Sequence, residues 1–594
     1  MNSYMGEKSK FKITEAVKIF VRLHGFIINI TPFRIVLSIV ITCILGILPS
    51  VSVYTTQLIM NQIQKKELAV YSIIMLCILY IAVDMVSTIL NYVQSYNTFI
   101  INQKIDLALI ENVLKKTKEL ELGDFETPEI NDLISRANEQ TSGKAYAFYM
   151  LVLGIFQSFV LIFSNAYILI HLKEYFILLV LIFLIIIHSI KTLRLSEKQY
   201  FIIKERTNDS RKQWYYQYLL TNDIAFKEIK LFGSHSFLIS EFKKLYYLFF
   251  EQDKDIQKEI IKMDISMNLI EQAVIGGTFL GSMADVYNGK RLIGDALAYI
   301  KGISNIKSGI QSICTKIVAM LKQAYYIQQL FDFLDYRSVI NSSTGTIKID
   351  EIEKIELQSV SFRYSYKKND SIRNVNFVLK KGELCLVVGE NGSGKSTFLK
   401  LLSGYYINYT GKILVNDIDF KDLDIENYRS KVSILLQDFT RYEMTIDENI
   451  RMGVLNEEIS NDKIQKVMFD VALDSSLTAN NNQQLGYWFQ NGTQLSGGQW
   501  LKIALCRTFL RPADIVMFDE PNAALDPISS KRIMEMIEEK TQNKICIISI
   551  HHLANLNLIG KKICVFKDGE IVLQGIYQEL SDELEKYGLN PEKN

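Results

Sequence analysis

The chain has 594 residues, too many for one hydrophobic core, so two or more domains are expected. Its 66 basic and 65 acidic residues leave a formal net charge of +1, a balance that gives no argument for nucleic acid as a partner. The seven cysteines (Cys43, Cys77, Cys314, Cys385, Cys506, Cys546, Cys564) show no paired spacing and read as buried, reduced thiols, which sets aside a disulfide framework.

Taken in chain order, the first twelve residues, MNSYMGEKSKFK, are polar and basic, and no short apolar run with a small-residue cleavage site follows. No cleaved signal peptide is expected there. From Ile13 to Ile30, Lys18 and Arg22 alternate with Val17, Ile19, Phe20 and Leu23, which suits a helix lying on the inner membrane surface. Apolar runs long enough to cross about 30 Å of hydrocarbon then follow at 34–54, 70–90, 149–170 and 176–190. Weaker candidates lie at 264–286 and 293–321, the second carrying Lys301 and Lys307.

Six spans would return the chain to its starting side. Lys and Arg crowd the N-terminus and the 94–145 and 191–262 connections, while the alternate loops are short and carry only Lys65, Lys66, Lys173, Lys290 and Arg291. The positive-inside rule therefore puts both termini in the cytoplasm. The long connections are expected to be helices extending beyond the bilayer, with 123–137 and 214–233 placed to touch a soluble domain. Inside the spans, Asp84, Asn91, Gln157, Asn165 and Glu271 should face the bundle or a wet cavity, either as cargo contacts or as interhelical hydrogen bonds. His24, His171, His188 and His235 read as interfacial or packing residues.

A polar stretch, NSSTGTIKIDE at 341–351, reads as a linker to a soluble α/β domain. There, ELCLVVGENGSGKSTFLKLLSG (383–404) joins a β-rich run to a helix through Gly389-x4-Gly394-Lys395-Ser396. The loop residues Gly389, Asn391, Gly392, Ser393 and Gly394 can turn consecutive N–H groups toward phosphate oxygens. Lys395 reaches the terminal phosphates, Ser396 can bind Mg²⁺, and Thr397 completes the ATP-binding set at the helix start. This marks an ATP or GTP site. ADIVMFDEP (513–521) reads as a buried parallel strand ending in Asp519, suited to Mg²⁺, and Glu520, suited to polarising an attacking water.

The order of the phosphate loop, Gln437 in SILLQDF, LSGGQ (495–499), FDEP, AALD and a histidine after the next apolar run resembles the ATPase domain of ATP-binding cassette transporters. Together these motifs cover residues 356 to about 575. The resemblance implies a membrane all-α six-span domain of the type IV exporter fold, fused to a cytoplasmic α/β P-loop NTPase domain. Its parts would be an N-terminal amphipathic segment (1–33), the spans (34–335), a linker (336–350), the cassette (351–585) and a tail (586–594).

The same resemblance implies residue roles. Tyr364 would stack on adenine, Gln437 would sense Mg²⁺ and water, and Asp526 would link two sites. His551 would contact the γ-phosphate, with His552 as its alternative and Ile550 standing where a serine is usual. Ser496, Gly497, Gly498 and Gln499 would close over the nucleotide of a second chain, the helix dipole adding favourable potential. One phosphate loop and one signature per chain imply a homodimer with two equivalent sites.

The tracts QLGYWFQNGTQLSGGQWLKIAL, SILLQDFTRYEMTIDENI, YLLTNDIAFKEIKL and DEPNAALDP resemble the exporters of nisin-type lantibiotics. That implies ATP-driven export of a lanthionine-bridged precursor peptide, leader attached, across a bacterial cytoplasmic membrane. Dehydratase and cyclase enzymes would be possible partners, and another protein would remove the leader. A multidrug or lipid exporter remains the alternative, with an ATP-gated channel or non-hydrolysing sensor behind it.

Overall fold

The computed structural model describes residues 13–65, 70–127, 130, 133–134, 137, 143–171, 175–338, 345–454, 459–478, 480–522, 525–551, 553 and 558–587. The expected features at 1–12, 341–344 and 588–594, together with Lys66, Lys173 and His552, lie outside these residues. The chain divides into two compact units, Met1–Lys116 with Leu133–Asp335, and Thr117–Asp132 with Tyr336–Asn594.

Among its described residues the first unit is built of helices joined by short turns. Its elements are α1 (Ile13–Ile30), α2 (Pro32–Lys65), α3 (Val70–Lys118), α4 (Lys144–His171), α5 (Tyr175–Glu205), α6 (Thr207–Thr221), α7 (Asp223–Leu231), α8 (His235–Tyr287) and α9 (Ile293–Asp335). In α1 the residues Ala16, Ile19, Leu23 and Ile27 recur at helical spacing and are all buried, which is the apolar stripe that the sequence carries there. Its opposite face ends in Arg22, whose guanidinium meets the Asp335 carboxylate at 2.6 and 2.7 Å and lies 4.0 Å over the Phe331 ring.

Among the described helices α2, α3 and α4 are long and apolar enough to cross a membrane, and the apolar part of α5 is the shorter stretch Ile182–Thr192. The expected fifth and sixth spans lie inside α8 and α9, continuous helices of 53 and 43 residues. Helices α2, α4 and α9 are held by side-chain hydrogen bonds as well as by packing: Asn165 donates to Ser50 at 2.7 Å, Asn305 to Asn165 at 3.1 Å, and Ser158 to Ser312 at 3.1 Å. Small polar residues bonded across helices are a common way to join spans that lack a hydrophobic driving force between them.

Of the polar residues in the spans, Asn165 and Glu271 are buried as expected and Gln157 is half-buried, while Asp84 and Asn91 are exposed in the single chain, where no part of the apolar window of α3 is buried. Of the cysteines, Cys385, Cys506, Cys546 and Cys564 are buried, but Cys77 is exposed and Cys43 and Cys314 are half-buried.

The second unit contains the cassette. Strands β1 (Lys354–Phe362), β2 (Ile372–Lys380), β4 (Thr410–Val415) and β5 (Ile418–Asp419) form an antiparallel sheet in the order β2-β1-β4-β5. The larger sheet runs β10-β9-β3-β8-β7-β6, from β3 (Leu384–Gly389), β6 (Val432–Leu435), β7 (Ile515–Asp519), β8 (Ile545–Ile550), β9 (Lys562–Lys567) and β10 (Glu570–Ile576). All pairs in that sheet are parallel except β9 with β10. Every residue of β7 and β8 is buried, which is why both read as unbroken apolar runs rather than alternating ones.

Segment Thr117–Asp132, the middle of the first long connection, belongs to this unit. Glu121 accepts from both terminal nitrogens of Arg429 at 3.2 and 2.5 Å, Asp124 accepts from Tyr336 at 2.8 Å, and Glu126 accepts from Tyr406 at 2.6 Å. Burial, then the Glu126 carboxylate, push the Tyr406 phenol well above its ordinary value, so it stays a donor. The second connection lies in the first unit, with Trp214, Phe226, Leu231 and Phe232 exposed.

Candidate active site

Register brings the site together. In an open parallel sheet, ligands lie beyond the carboxyl ends of the strands. Here Val388 of β3 pairs with Ile550 of β8, Asp519 of β7 with Ser549, and Leu435 of β6 with Phe518. The residues that follow those ends are the phosphate loop, His551, Glu520 and Gln437.

The phosphate loop turns from β3 into α10 (Lys395–Leu402), and Gly394 caps that helix at φ +111°, a conformation that disfavours any side chain. A Cβ on Gly389 would stand 2.3 Å from the Phe566 carbonyl oxygen in β9. Gly389→Ala should therefore push β3 and β9 apart and lower stability by about 1–3 kcal/mol, read as a fall in the denaturation midpoint of the cassette. Lys395 is 4% exposed and its ammonium donates to the carbonyls of Gly389 at 2.7 Å and Glu390 at 3.0 Å. Burial lowers its pKa, while the charges of Glu520 and Asp519 oppose that shift. Ser393 is buried and its hydroxyl has no hydrogen-bond partner, an orphan donor of the kind a phosphate oxygen would satisfy. Asn391 and Gly392 are exposed at the turn, and Ser396 is half-buried in the first turn of α10.

Glu520 is held on all sides. It is 8% exposed and sits at φ 51°, in the left-handed region, directly after β7. A non-glycine residue there stores strain that the surroundings must offset. Its amide donates to Ser549 O at 3.1 Å, its Oε1 meets His551 Nε2 at 2.6 Å, and its Oε2 accepts from Gln437 Nε2 at 2.8 Å. The Ser549 hydroxyl bonds the buried Asp519 carboxylate and also lies 3.2 Å from the Glu520 amide. Ser549 was not singled out from the sequence; its register opposite Asp519 explains how a hydroxyl reaches this cluster although Ile550 is buried strand.

Tyr364 differs from a free base platform. It is 7% exposed, its hydroxyl lies 3.1 Å from Thr397 Oγ1, and the ring is stacked on Tyr366 at 5.3 Å. Tyr366 is 60% exposed and is the outer ring of this pair.

The signature starts α14 (Gly497–Leu510), taking α11 (Ile425–Ser430), α12 (Ile446–Arg451) and α13 (Asn461–Asp470) as the helices between. Ser496 caps it in a box with Gln499: the serine hydroxyl accepts from the Gln499 amide at 3.3 Å, and the Gln499 carbonyl oxygen accepts from the Ser496 amide at 2.9 Å. That leaves the Gly497 and Gly498 amides as donors. Asp474, also missed in the sequence, fixes the start of the helix by accepting from Gln499 at 2.6 Å and pairing with Lys502 at 3.2 Å, contacts that hold its carboxyl below the usual range. Trp500 anchors the helix in the core, whereas Trp488 is exposed. Among the described residues no hydrogen bond or ion pair joins Ser496, Gly497, Gly498 or Gln499 to the phosphate loop. Asp526 caps α15 (Pro527–Lys540); the Ser529 hydroxyl and the amides of Ser529 and Ile528 hold its carboxyl low.

Three of the four remaining histidines pack against aromatic rings: His24 on Tyr149 at 5.8 Å, His171 on Tyr167 at 6.4 Å, and His235 edge-on to Phe226 at 6.0 Å. His188 is a correction, since it stands between two carboxylates.

Similarity decides the family. The subtilin transport ATP-binding protein of Bacillus subtilis is 33% identical to this chain over 92% of its length and 91% of that protein. The chain belongs to the ATP-binding cassette exporters. The nisin transport ATP-binding protein of Lactococcus lactis subsp. lactis is 31% identical over 92% of each chain. An ATP-dependent lipid A-core flippase of Francisella novicida is 27% identical over 60% of each. The ABC transporter family profile matches residues 372–523 of the cassette. A bacterial Atm1-family ABC exporter, solved with ATP bound, superposes with a TM-score of 0.76 at 18% identity, over 94% of this chain and 98% of that one. The exporter is thus a membrane ATPase with a helical domain fused to a P-loop NTPase domain.

Proposed function

We propose that this ABC exporter carries a lanthionine-bridged precursor peptide, leader attached, across the bacterial cytoplasmic membrane. The similarity to subtilin and nisin transport proteins carries this reading, because it extends over 92% of the chain and so includes the helical domain where cargo would pass. The flippase similarity extends over 60%, which leaves lipid or drug export as the second reading. The dehydratase and cyclase that would modify such a peptide are proposed partners.

The working unit is a homodimer of six-span chains with both termini cytoplasmic, each signature helix closing over the other chain's phosphate loop. Lys395, the orphan Ser393 hydroxyl and the loop amides bind the terminal phosphates, and Tyr364 with Tyr366 receives the base. Ser396, Gln437 and Asp519 would hold Mg²⁺, which neutralises phosphate charge when bound. Glu520 takes the proton of the attacking water; His551 and Gln437 aim its carboxylate, and their placement disfavours a sensor without turnover. Closure of the cassettes and opening of the spans are two states that ATP biases by binding one of them more tightly.

The test is ATPase activity in lipid discs, titrated separately with leader-bearing precursor, leader-free core, and a set of drugs and lipids. Saturable stimulation by the precursor is expected. Stimulation by drugs or lipids with none by any precursor would move the cargo to the second reading while keeping the ATP chemistry.

A further inference from the structure

Helices α5, α8 and α9 meet at a charged cluster far along the chain from the ATP site. Glu271 on α8 is 1% exposed. Its Oε1 lies 3.2 Å from His188 Nδ1 on α5, and its Oε2 lies 3.0 Å from Lys307 Nζ on α9 and accepts from Gln311 Nε2 at 3.2 Å. The other imidazole nitrogen, His188 Nε2, lies 3.1 Å from Asp264 Oδ1, seven residues or about two helical turns before Glu271 on α8.

Counting hydrogens settles what this geometry requires. An ionised carboxylate only accepts, and a neutral imidazole has a single N–H. An imidazole between two carboxylates needs an N–H on both nitrogens, or one carboxyl must carry the proton. Either way the group holds one proton beyond the neutral ring and two carboxylates. Charge gives the same answer. Asp264 and Glu271 against Lys307 leave one net negative charge beside the buried ring, with Asp264 itself partly exposed, and one added proton brings the sum to zero.

We propose that His188, Glu271 and Asp264 form a proton-binding site inside the helical domain, and that the bound proton ties α5 to α8. When the proton leaves, the neutral ring keeps one N–H and so one of its two bonds to α8, while its other nitrogen turns a lone pair toward a carboxylate; the tie is weakened, and Glu271 to Lys307 still joins α8 to α9. Helices α5 and α8 flank the second long connection, made of α6 and α7, so proton occupancy sets how firmly the two arms of that connection are coupled. The charged groups facing the imidazole from the packed helices are Asp264 and Glu271 on α8 and, behind Glu271, Lys307 on α9. Lys316 on α9 instead donates to Gly154 and Ser158 on α4, and Lys191 and Lys301 are exposed. A buried ion cluster is poor evidence for stability, since apolar residues of the same volume often stabilise as well or better.

The test uses the full chain in lipid discs without cargo, so its outcome is independent of the cargo reading. ATP turnover of wild type and His188→Gln is measured between about pH 5.5 and 8.5, where imidazoles exchange their protons, and expressed as a ratio in which the titration of the ATP site cancels. Glutamine is uncharged, pairs a donor group with an acceptor as the neutral ring does, and cannot take up a proton. The two profiles should converge at the alkaline end and differ by at least about threefold at the acid end. Asp264→Asn, at a side chain 45% exposed and so tolerant of change, removes one of the two carboxylates that hold the added proton; the ratio of wild type to this variant should likewise vary with pH by at least about threefold, which tests the site even if His188→Gln does not fold. A wild-type to variant ratio that is constant across pH, whether at one or at any other value, would overturn the proposal, because a purely structural histidine lowers activity equally at every pH.

Discussion

Replacing Glu520 with glutamine should lower ATP turnover by about two to four powers of ten while leaving ATP binding intact, the range expected for loss of a general base. The substitution keeps the side-chain shape, so the left-handed backbone at φ 51° and the amide bond to Ser549 O at 3.1 Å are undisturbed. What changes is the capacity to take a proton. The amide oxygen can still accept from one of His551 and Gln437, which now lie 2.6 and 2.8 Å from the two carboxylate oxygens, and Gln437 can turn its own amide to meet the new NH₂ group. Binding, read with a fluorescent ATP analogue, rests on Lys395 and the loop amides and should move little. Hydrolysis at the wild-type rate in this variant would remove Glu520 from the chemistry and leave His551 to be tested in its place.

How much of this site could be read in advance depends on how local each piece is. The phosphate loop and the Asp519–Glu520 strand end are contiguous stretches whose chemistry travels with their spacing, and the fold places both at the same edge of the sheet. Ser549 and Asp474 could not be found that way. Each acts through a partner about 25 to 30 residues distant, met only through strand register or a helix cap. Tyr364 is the opposite case: its motif was visible, but the stacking of Tyr366 on its ring depends on how two loop residues pack. The helical domain follows the same logic. Long apolar runs announced α2, α3 and α4, whereas α8 and α9 carry buried charges that dilute hydropathy. The one local hint of the proton site was the seven-residue spacing of Asp264 and Glu271, which puts both on one helix face; that His188 and Lys307 complete it is a matter of packing between helices.

The second large effect concerns which chain each signature serves. Ser496→Arg and Lys395→Ala should each cut ATP turnover by a factor of about one hundred or more as homodimers, since the first blocks the approach of phosphate to the Gly497 and Gly498 amides and the second removes an ammonium aimed at developing phosphate charge. A mixed dimer, isolated through a different tag on each chain, should recover at least about a tenth of wild-type turnover, because the two-fold axis collects both defects in one site and leaves the other whole. Within one chain the capping box spends the Ser496 and Gln499 amides locally and leaves those of Gly497 and Gly498 open, and among the described residues no hydrogen bond or ion pair joins the signature residues to the phosphate loop. Those donors need an anion that the same cassette does not bring to them. Arginine at position 496 would keep a charge attractive to phosphate yet fill the space above the two glycines, so loss of turnover there reports exclusion rather than weakened attraction. A mixed dimer as inactive as either parent, with both chains present in equal amounts, would mean that each signature serves the phosphate loop of its own chain, and the reciprocal pairing would fall.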